Sequence, residues 1–130
     1  MEISKENKYI QKIKNETKGK DNLNYDIKDL TKLKSYSIDE NDTIEIDDSI
    51  SLERVGNKYK IWIHIASPPK NIEFDSEIDK KARKLTSTIY LCCENIYMFP
   101  EKLIRNIFSL KQGEIRNALS LGVVLNNNGT

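Results

Sequence analysis

Four carboxylates fall within ten residues of one another: Asp39, Glu45, Asp47 and Asp48 lie in Ser37-Ile38-Asp39-Glu40-Asn41-Asp42-Thr43-Ile44-Glu45-Ile46-Asp47-Asp48-Ser49-Ile50. Carboxylates held close together repel, and a cation relieves that repulsion. Hard oxygen donors favour a hard divalent ion, Mg²⁺ or in its place Mn²⁺, and such ions serve chemistry at phosphate. Ile38, Ile44 and Ile46 interleave the acids, and as apolar anchors they are expected to seek a core and hold the carboxylates over it. A calcium loop of the helix–loop–helix type does not fit. The required glycine is absent, and Ile50 stands where the loop needs a bidentate glutamate. Spacing alone leaves a solvated acidic turn open beside the metal site.

Elements on either side must position this cluster. After it, Ser49 to Val55 and Lys58 to Ala66 predict two strands joined at Gly56-Asn57, a hairpin turn pair. In the second, Tyr59, Ile61, Ile63 and Ile65 alternate with Lys60, Trp62, His64 and Ala66, so one apolar face is expected to cover a core. His64 reads as a sheet-packing histidine with no catalytic role. Pro68-Pro69 ends the strand. Asp75-Ser76 then caps a helix to about Thr88, with Ile78, Ala82, Leu85 and Ile89 on one side. Thr88 to Leu91 suits a strand, Pro100 to Ile104 a short helix opening on proline, and Ala118 to Leu125 a final strand. Asn126-Asn127-Asn128-Gly129 is hairpin-turn material.

The chain has 130 residues, of which 38% are hydrophobic and 32% charged, with a net charge of +1. That length suits one domain or part of a larger one. The near-neutral total hides a gradient. Residues 1–34 carry nine lysines against six acids, whereas residues 39–53 carry seven acids and no base. Residues 1–34 therefore read as a basic, partly helical leader, with Tyr9, Ile10 and Ile13 on a short helix and Gly19 to Asn24 as a linker. No apolar run approaches membrane-spanning length and no signal-peptide pattern opens the chain, so a cytoplasmic setting is expected. Cys92 and Cys93 are adjacent and have no second Cys/His pair to complete a zinc site, which fits a reducing compartment.

The stretches Tyr36 to Asp39, Glu45 to Glu53 and Lys60 to Ala66 resemble, in order and spacing, the start of the catalytic RNB domain of the ribonuclease II / ribonuclease R family. The resemblance continues through Ile78 to Arg83, Thr88 to Leu91, Met98 to Leu103, Phe108 to Leu110, Gly113-Glu114, Arg116 and Ala118 to Ser120, and spans roughly residues 26–130. It implies hydrolytic 3′→5′ degradation of single-stranded RNA with Mg²⁺, releasing nucleoside 5′-monophosphates. It maps the family's four-carboxylate motif onto Asp39, Glu45, Asp47 and Asp48, with Asp39 and Asp48 as metal ligands and Asp47 as the group whose loss most damages cleavage. Tyr90 matches the aromatic that packs by the 3′-terminal nucleotide.

Glu45 stands where the motif commonly has Asp, and Ser67 where Asp often follows His-Ile-Ala. An RNB domain is also several times longer, and its later segment supplies a second stacking aromatic and an arginine for the transition-state phosphate. Residues 35–130 thus correspond to the N-terminal portion of such a domain. The expected fold is α+β, a mostly antiparallel sheet with packed helices. The missing part would come from a larger chain or a partner. The alternative is a non-catalytic metal- or RNA-binding remnant, or a partner-dependent subunit. With Ile61, Ile63, Ile65, Val123 and Leu125 wanting cover, self-association is expected.

Overall fold

The computed structural model describes residues 27–67 and 72–126. The leader helix and its linker, Pro68-Pro69 and the end of the Asn-rich turn lie outside them. The chain divides into two compact units, one holding residues 25–67 and 108–130, the other residues 68–107 with the first 24.

The first unit is a four-stranded antiparallel sheet in the order β1-β2-β3-β6. Its strands are β1 (Ser35–Tyr36), β2 (Asp48–Val55), β3 (Lys58–Ala66) and β6 (Ala118–Val124). The β2–β3 hairpin turns at Gly56, whose φ of 62° lies in the left-handed region that glycine enters without a Cβ penalty. Register pairs Ser49 with His64 and Ile50 with Ile63, and on the other side of β3, Ile63 with Leu121 and His64 with Ser120.

That register places Ile50, Leu52, Ile61, Ile63, Ile65, Leu119, Leu121 and Val123 on one face, because directly opposite residues of an antiparallel pair share a side. Contrary to expectation, the covered face is the other one. Trp62 and His64 are only 7% and 8% exposed, whereas Ile63 and Ile65 remain 40% and 46% exposed.

The reason is local. Lys60 and Lys28 lie over the Trp62 ring at 4.1 and 4.6 Å from its centroid, and Trp62 Nε1 donates to Glu53 Oε2 at 2.8 Å. Gly122 stands opposite Trp62. A Cβ there would come within 2.8–2.9 Å of the Trp62 ring, so the absent side chain is what lets the ring lie across β6. His64 is held at both ring nitrogens, Nε2 to Ser51 Oγ and Nδ1 to Ser120 Oγ, each at 2.8 Å. The Trp62 indole N–H and both His64 ring nitrogens thereby find partners, which makes their burial tolerable. The expectation that His64 packs within the sheet holds.

The second unit contains α1 (Glu77–Leu85), β4 (Ile89–Tyr90), β5 (Asn95–Ile96), α2 (Glu101–Leu103) and most of a π-helical turn at Ile104–Phe108. Ser76 caps α1, its hydroxyl accepting from the Asp79 N–H at 3.3 Å, and Thr86 ends it with φ of 64°. The helix therefore stops three residues short of Thr88. Ala82 is its buried residue, with Ile78 and Leu85 half-buried beside it. β4 and β5 form a two-stranded ribbon, and the Leu91 N–H donates to the Glu94 carbonyl at 3.0 Å across a turn occupied by Cys92 and Cys93. Both thiols are free and exposed. Leu103 and Ile104 are fully buried. Among the described residues no helix is long and apolar enough to cross a membrane.

Candidate active site

The acidic run folds as a loop between β1 and β2. It turns at Asn41–Asp42, where the Thr43 N–H donates to the Glu40 carbonyl at 3.0 Å. From Ile46 onward its backbone is tied down. The Ile46 N–H donates to Ser109 Oγ at 3.0 Å, and the Ile46 carbonyl accepts from the Leu110 N–H at 2.9 Å. The Asp47 carbonyl accepts from the Ala66 N–H at 2.7 Å, and Asp48 begins β2 opposite Ile65.

Ser109 is itself buried, and its carbonyl accepts from Arg116 Nε at 3.1 Å. Arg116 also pairs with Glu114. The loop's acidic end thus hangs from two points: the last residues of β3 and a Ser109–Leu110 clamp 63 residues away in sequence. A backbone held by several hydrogen bonds gives side chains defined origins, which a solvated turn does not.

The isoleucine anchors behave unequally. Ile44 and Ile46 are half-buried, as anchors should be, but Ile38 is 93% exposed. Asp39 is therefore carried by a segment with no apolar footing of its own, and the expectation that all three isoleucines seat the cluster is corrected at Ile38.

Asp47 feels the other three carboxylates. The Asp47 carboxyl is pushed up from 3.8 to about 6, first because surrounding protein displaces water from it, then because Glu45, Asp48 and Asp39 each add negative potential. Asp47 nonetheless lies at the surface by area, so solvent still reaches it. Among the described residues, no three His, Cys, Asp or Glu side chains converge into a ready-made cage for a metal ion. The donor chemistry nevertheless fits a hard divalent cation. Mg²⁺ keeps several waters and is ordinarily held by one or two carboxylates together with substrate phosphate, so a cage of three protein ligands is not required of it.

Tyr90 lies on β4 in the other unit and is 66% exposed. Asp39, Glu45, Asp47 and Asp48 thus lie on one loop, while Tyr90 belongs to the other compact unit. Sequence reasoning gave no role to Ser109, whose hydroxyl and neighbouring N–H fix Ile46. A serine followed by leucine at the end of an apolar turn carries no local signal of that contact.

The RNB domain model matches residues 27–130. The chloroplastic/mitochondrial ribonuclease II of Arabidopsis thaliana is 42% identical over 102 residues, covering 78% of this chain and 13% of that protein. Exoribonuclease 2 of Aeromonas hydrophila is 32% identical over 101 residues, covering 78% and 15%. The chain therefore spans about one seventh of the length of these relatives. Among solved structures, Mycoplasma genitalium RNase R in complex with ribose-methylated single-stranded RNA superposes with a TM-score of 0.69 at 27% identity, covering 77% of this chain and 16% of that one. Yeast Ssd1, described as a pseudonuclease, shares the fold with a TM-score of 0.63 at 21% identity, covering 76% and 12%. With the RNB domain model matching residues 27–130, a span that contains the acidic loop, the hairpin and β6, this chain belongs to the RNB family.

Proposed function

We propose that this chain carries the metal-holding part of an Mg²⁺-dependent exoribonuclease that hydrolyses single-stranded RNA from its 3′ end and releases nucleoside 5′-monophosphates. The observation that carries the proposal is the grouping of four carboxylates on a loop whose backbone is pinned at Ile46 and Asp47. Bound there, the cation would polarise the scissile phosphate and lower the pKa of an attacking water.

The chain's own residues do the rest. Asp39 and Asp48 would hold the ion through carboxylate oxygens. Glu45, one methylene longer than the aspartate usual at that place, would add negative charge beside the ion. Asp47, crowded by its neighbours, orients the water and accepts its proton. Tyr90 offers an exposed ring on which a terminal base stacks, a sequence-tolerant contact worth about 1–3 kcal/mol. An exoribonuclease that reads no sequence needs stacking of this kind.

The test is degradation of a 5′-labelled single-stranded RNA with Mg²⁺. The active protein gives products shortening stepwise from the 3′ end, and Asp47→Asn removes them while RNA binding persists. A ladder retained by Asp47→Asn contradicts the assignment. A second reading is favoured by the span of the match, since the relatives extend far beyond the part matched here. In that reading the chain binds metal or RNA and becomes catalytic only with the rest of an RNB domain supplied by a longer chain or partner. It predicts RNA binding and cooperative unfolding without a ladder.

A further inference from the structure

Cys92 and Cys93 occupy the tip of the β4–β5 ribbon. Register pairs Ile89 with Ile96 and Tyr90 with Asn95, and the Leu91 N–H donates to the Glu94 carbonyl at 3.0 Å. The two cysteines are therefore the whole of the turn, and both thiols are free and exposed. In a strand, neighbouring side chains point to opposite faces and could not share one ligand. At the tip the pleat is broken and the backbone bends at both residues, so the two sulfurs can swing to one side.

Two outcomes compete for adjacent thiols: a bond between the sulfurs, or one atom held by both. Distances decide between them. The described residues include no cis peptide bond, and across a trans peptide the Cα atoms stand about 3.8 Å apart. Disulfides span about 4.4–6.8 Å between Cα atoms, so a direct sulfur–sulfur bond does not fit this turn. An inserted atom relaxes the demand. Two bonds of about 2.3 Å, the length of a metal–thiolate bond, meeting at roughly a right angle hold the sulfurs about 3.3 Å apart, against about 2.05 Å in a disulfide. Soft thiolates select a soft centre. Zinc and iron–sulfur clusters ask for four ligands, and among the described residues no three His, Cys, Asp or Glu side chains group to supply them. A centre that needs only two sulfurs fits: trivalent arsenic already carrying one organic substituent.

We propose that Cys92 and Cys93 form a dithiol site that takes a monosubstituted trivalent arsenical, with both sulfurs bound to one arsenic atom. The exchange needs no oxidant, because arsenic stays trivalent throughout. Two As–S bonds replace the arsenic–oxygen double bond of R–As=O, and both thiol protons leave on that oxygen as one water. With the second thiol tethered beside the first, the second bond forms within one molecule, a gain of about 10²–10⁴ over a single thiol. The site uses no carboxylate of the acidic loop and stands independently of the proposed activity.

The test is titration of the chain with phenylarsine oxide, read by intact mass and by assay of free thiols. The expected result is one phenylarsenic group per chain with both thiols consumed. An excess of a monothiol leaves the group in place, whereas an excess of a small vicinal dithiol strips it. Cys92→Ser and Cys93→Ser each weaken retention by about a hundredfold or more. Both positions lie on an exposed turn, so the variants keep the far-ultraviolet circular dichroism of the parent. Uptake that consumes a single thiol, release by the monothiol, or retention unchanged in either serine variant would each overturn the proposal.

Discussion

Replacing Asp47 by Asn should stabilise the metal-free protein while removing its chemistry. The carboxyl sits where lost hydration and the charges of Glu45, Asp48 and Asp39 raise it from 3.8 to about 6. A rise of that size corresponds to about 3 kcal/mol of penalty on the charged form. Asp47 is open to water at its surface, so screening reduces the usable figure to about 1 kcal/mol. An amide of the same shape removes the charge and keeps the volume.

The sign with pH follows from linkage. A carboxyl whose folded value lies above its unfolded one weakens the fold when both states are ionised, above about pH 6. As pH falls toward 3.8 the folded state takes up its proton first and the penalty disappears. In chelator at pH 7.5, Asp47→Asn should therefore melt about 4 °C higher than the parent, and the gap should close by about pH 4. Taking the difference between variant and parent cancels the titration of every group common to both. Thermal melts read by circular dichroism measure it. Equal or lower melting of the variant at pH 7.5, or a gap that does not change with pH, would refute the argument that the four carboxylates crowd one another.

Three other outcomes follow from neighbouring contacts. Gly122→Ala puts a methyl group within 2.8–2.9 Å of the Trp62 ring. It should cost about 1–3 kcal/mol and shift the emission of Trp62, the chain's one tryptophan, to longer wavelength. Ser109→Ala leaves the Ile46 N–H without its acceptor. A loss of about 1–3 kcal/mol in urea unfolding, with faster amide exchange at Ile46, is expected, and unchanged exchange there would remove the clamp from the account. His64→Phe strands the Ser51 and Ser120 hydroxyls on a covered face. Burial lowers the His64 pKa, so its contribution weakens the fold as pH drops through the ordinary histidine range; this part of the acid sensitivity should be missing in the phenylalanine variant.

Local chemistry explains what the sequence disclosed. Strict alternation on both sides of Gly56 marked the β2–β3 hairpin, because period-two patterning and a residue tolerant of positive φ leave few other conformations. Ser76 announced α1 for the same kind of reason, since its hydroxyl satisfies an N–H that the helix cannot. Glu45, Asp47 and Asp48 were legible as a group because they are near neighbours in sequence, whereas Asp39, nine residues before Asp48, is brought back toward them by the turn at Asn41–Asp42.

Contacts set by distant residues were hidden. Alternation told which residues of β3 share a face but not which face is covered. The choice depends on Lys28, Glu53 and Gly122 combining to bury Trp62, and on two serines from different strands satisfying His64. The clamp from Ser109 on Ile46 spans 63 residues and has no periodic signature. β5 is two residues long, too short for any pattern to show. Ile38 looked like an anchor by type alone and proved to have nothing beneath it.

The most direct test of the central claim is a calorimetric titration of Mg²⁺ into the metal-free protein in the presence of a short single-stranded RNA with a non-hydrolysable 3′-terminal linkage. Saturable binding is expected, which Asp39→Asn and Asp48→Asn each weaken by about tenfold or more, as removing a ligand from a two-carboxylate site should. Binding that is absent, or that survives both substitutions unchanged, would contradict it.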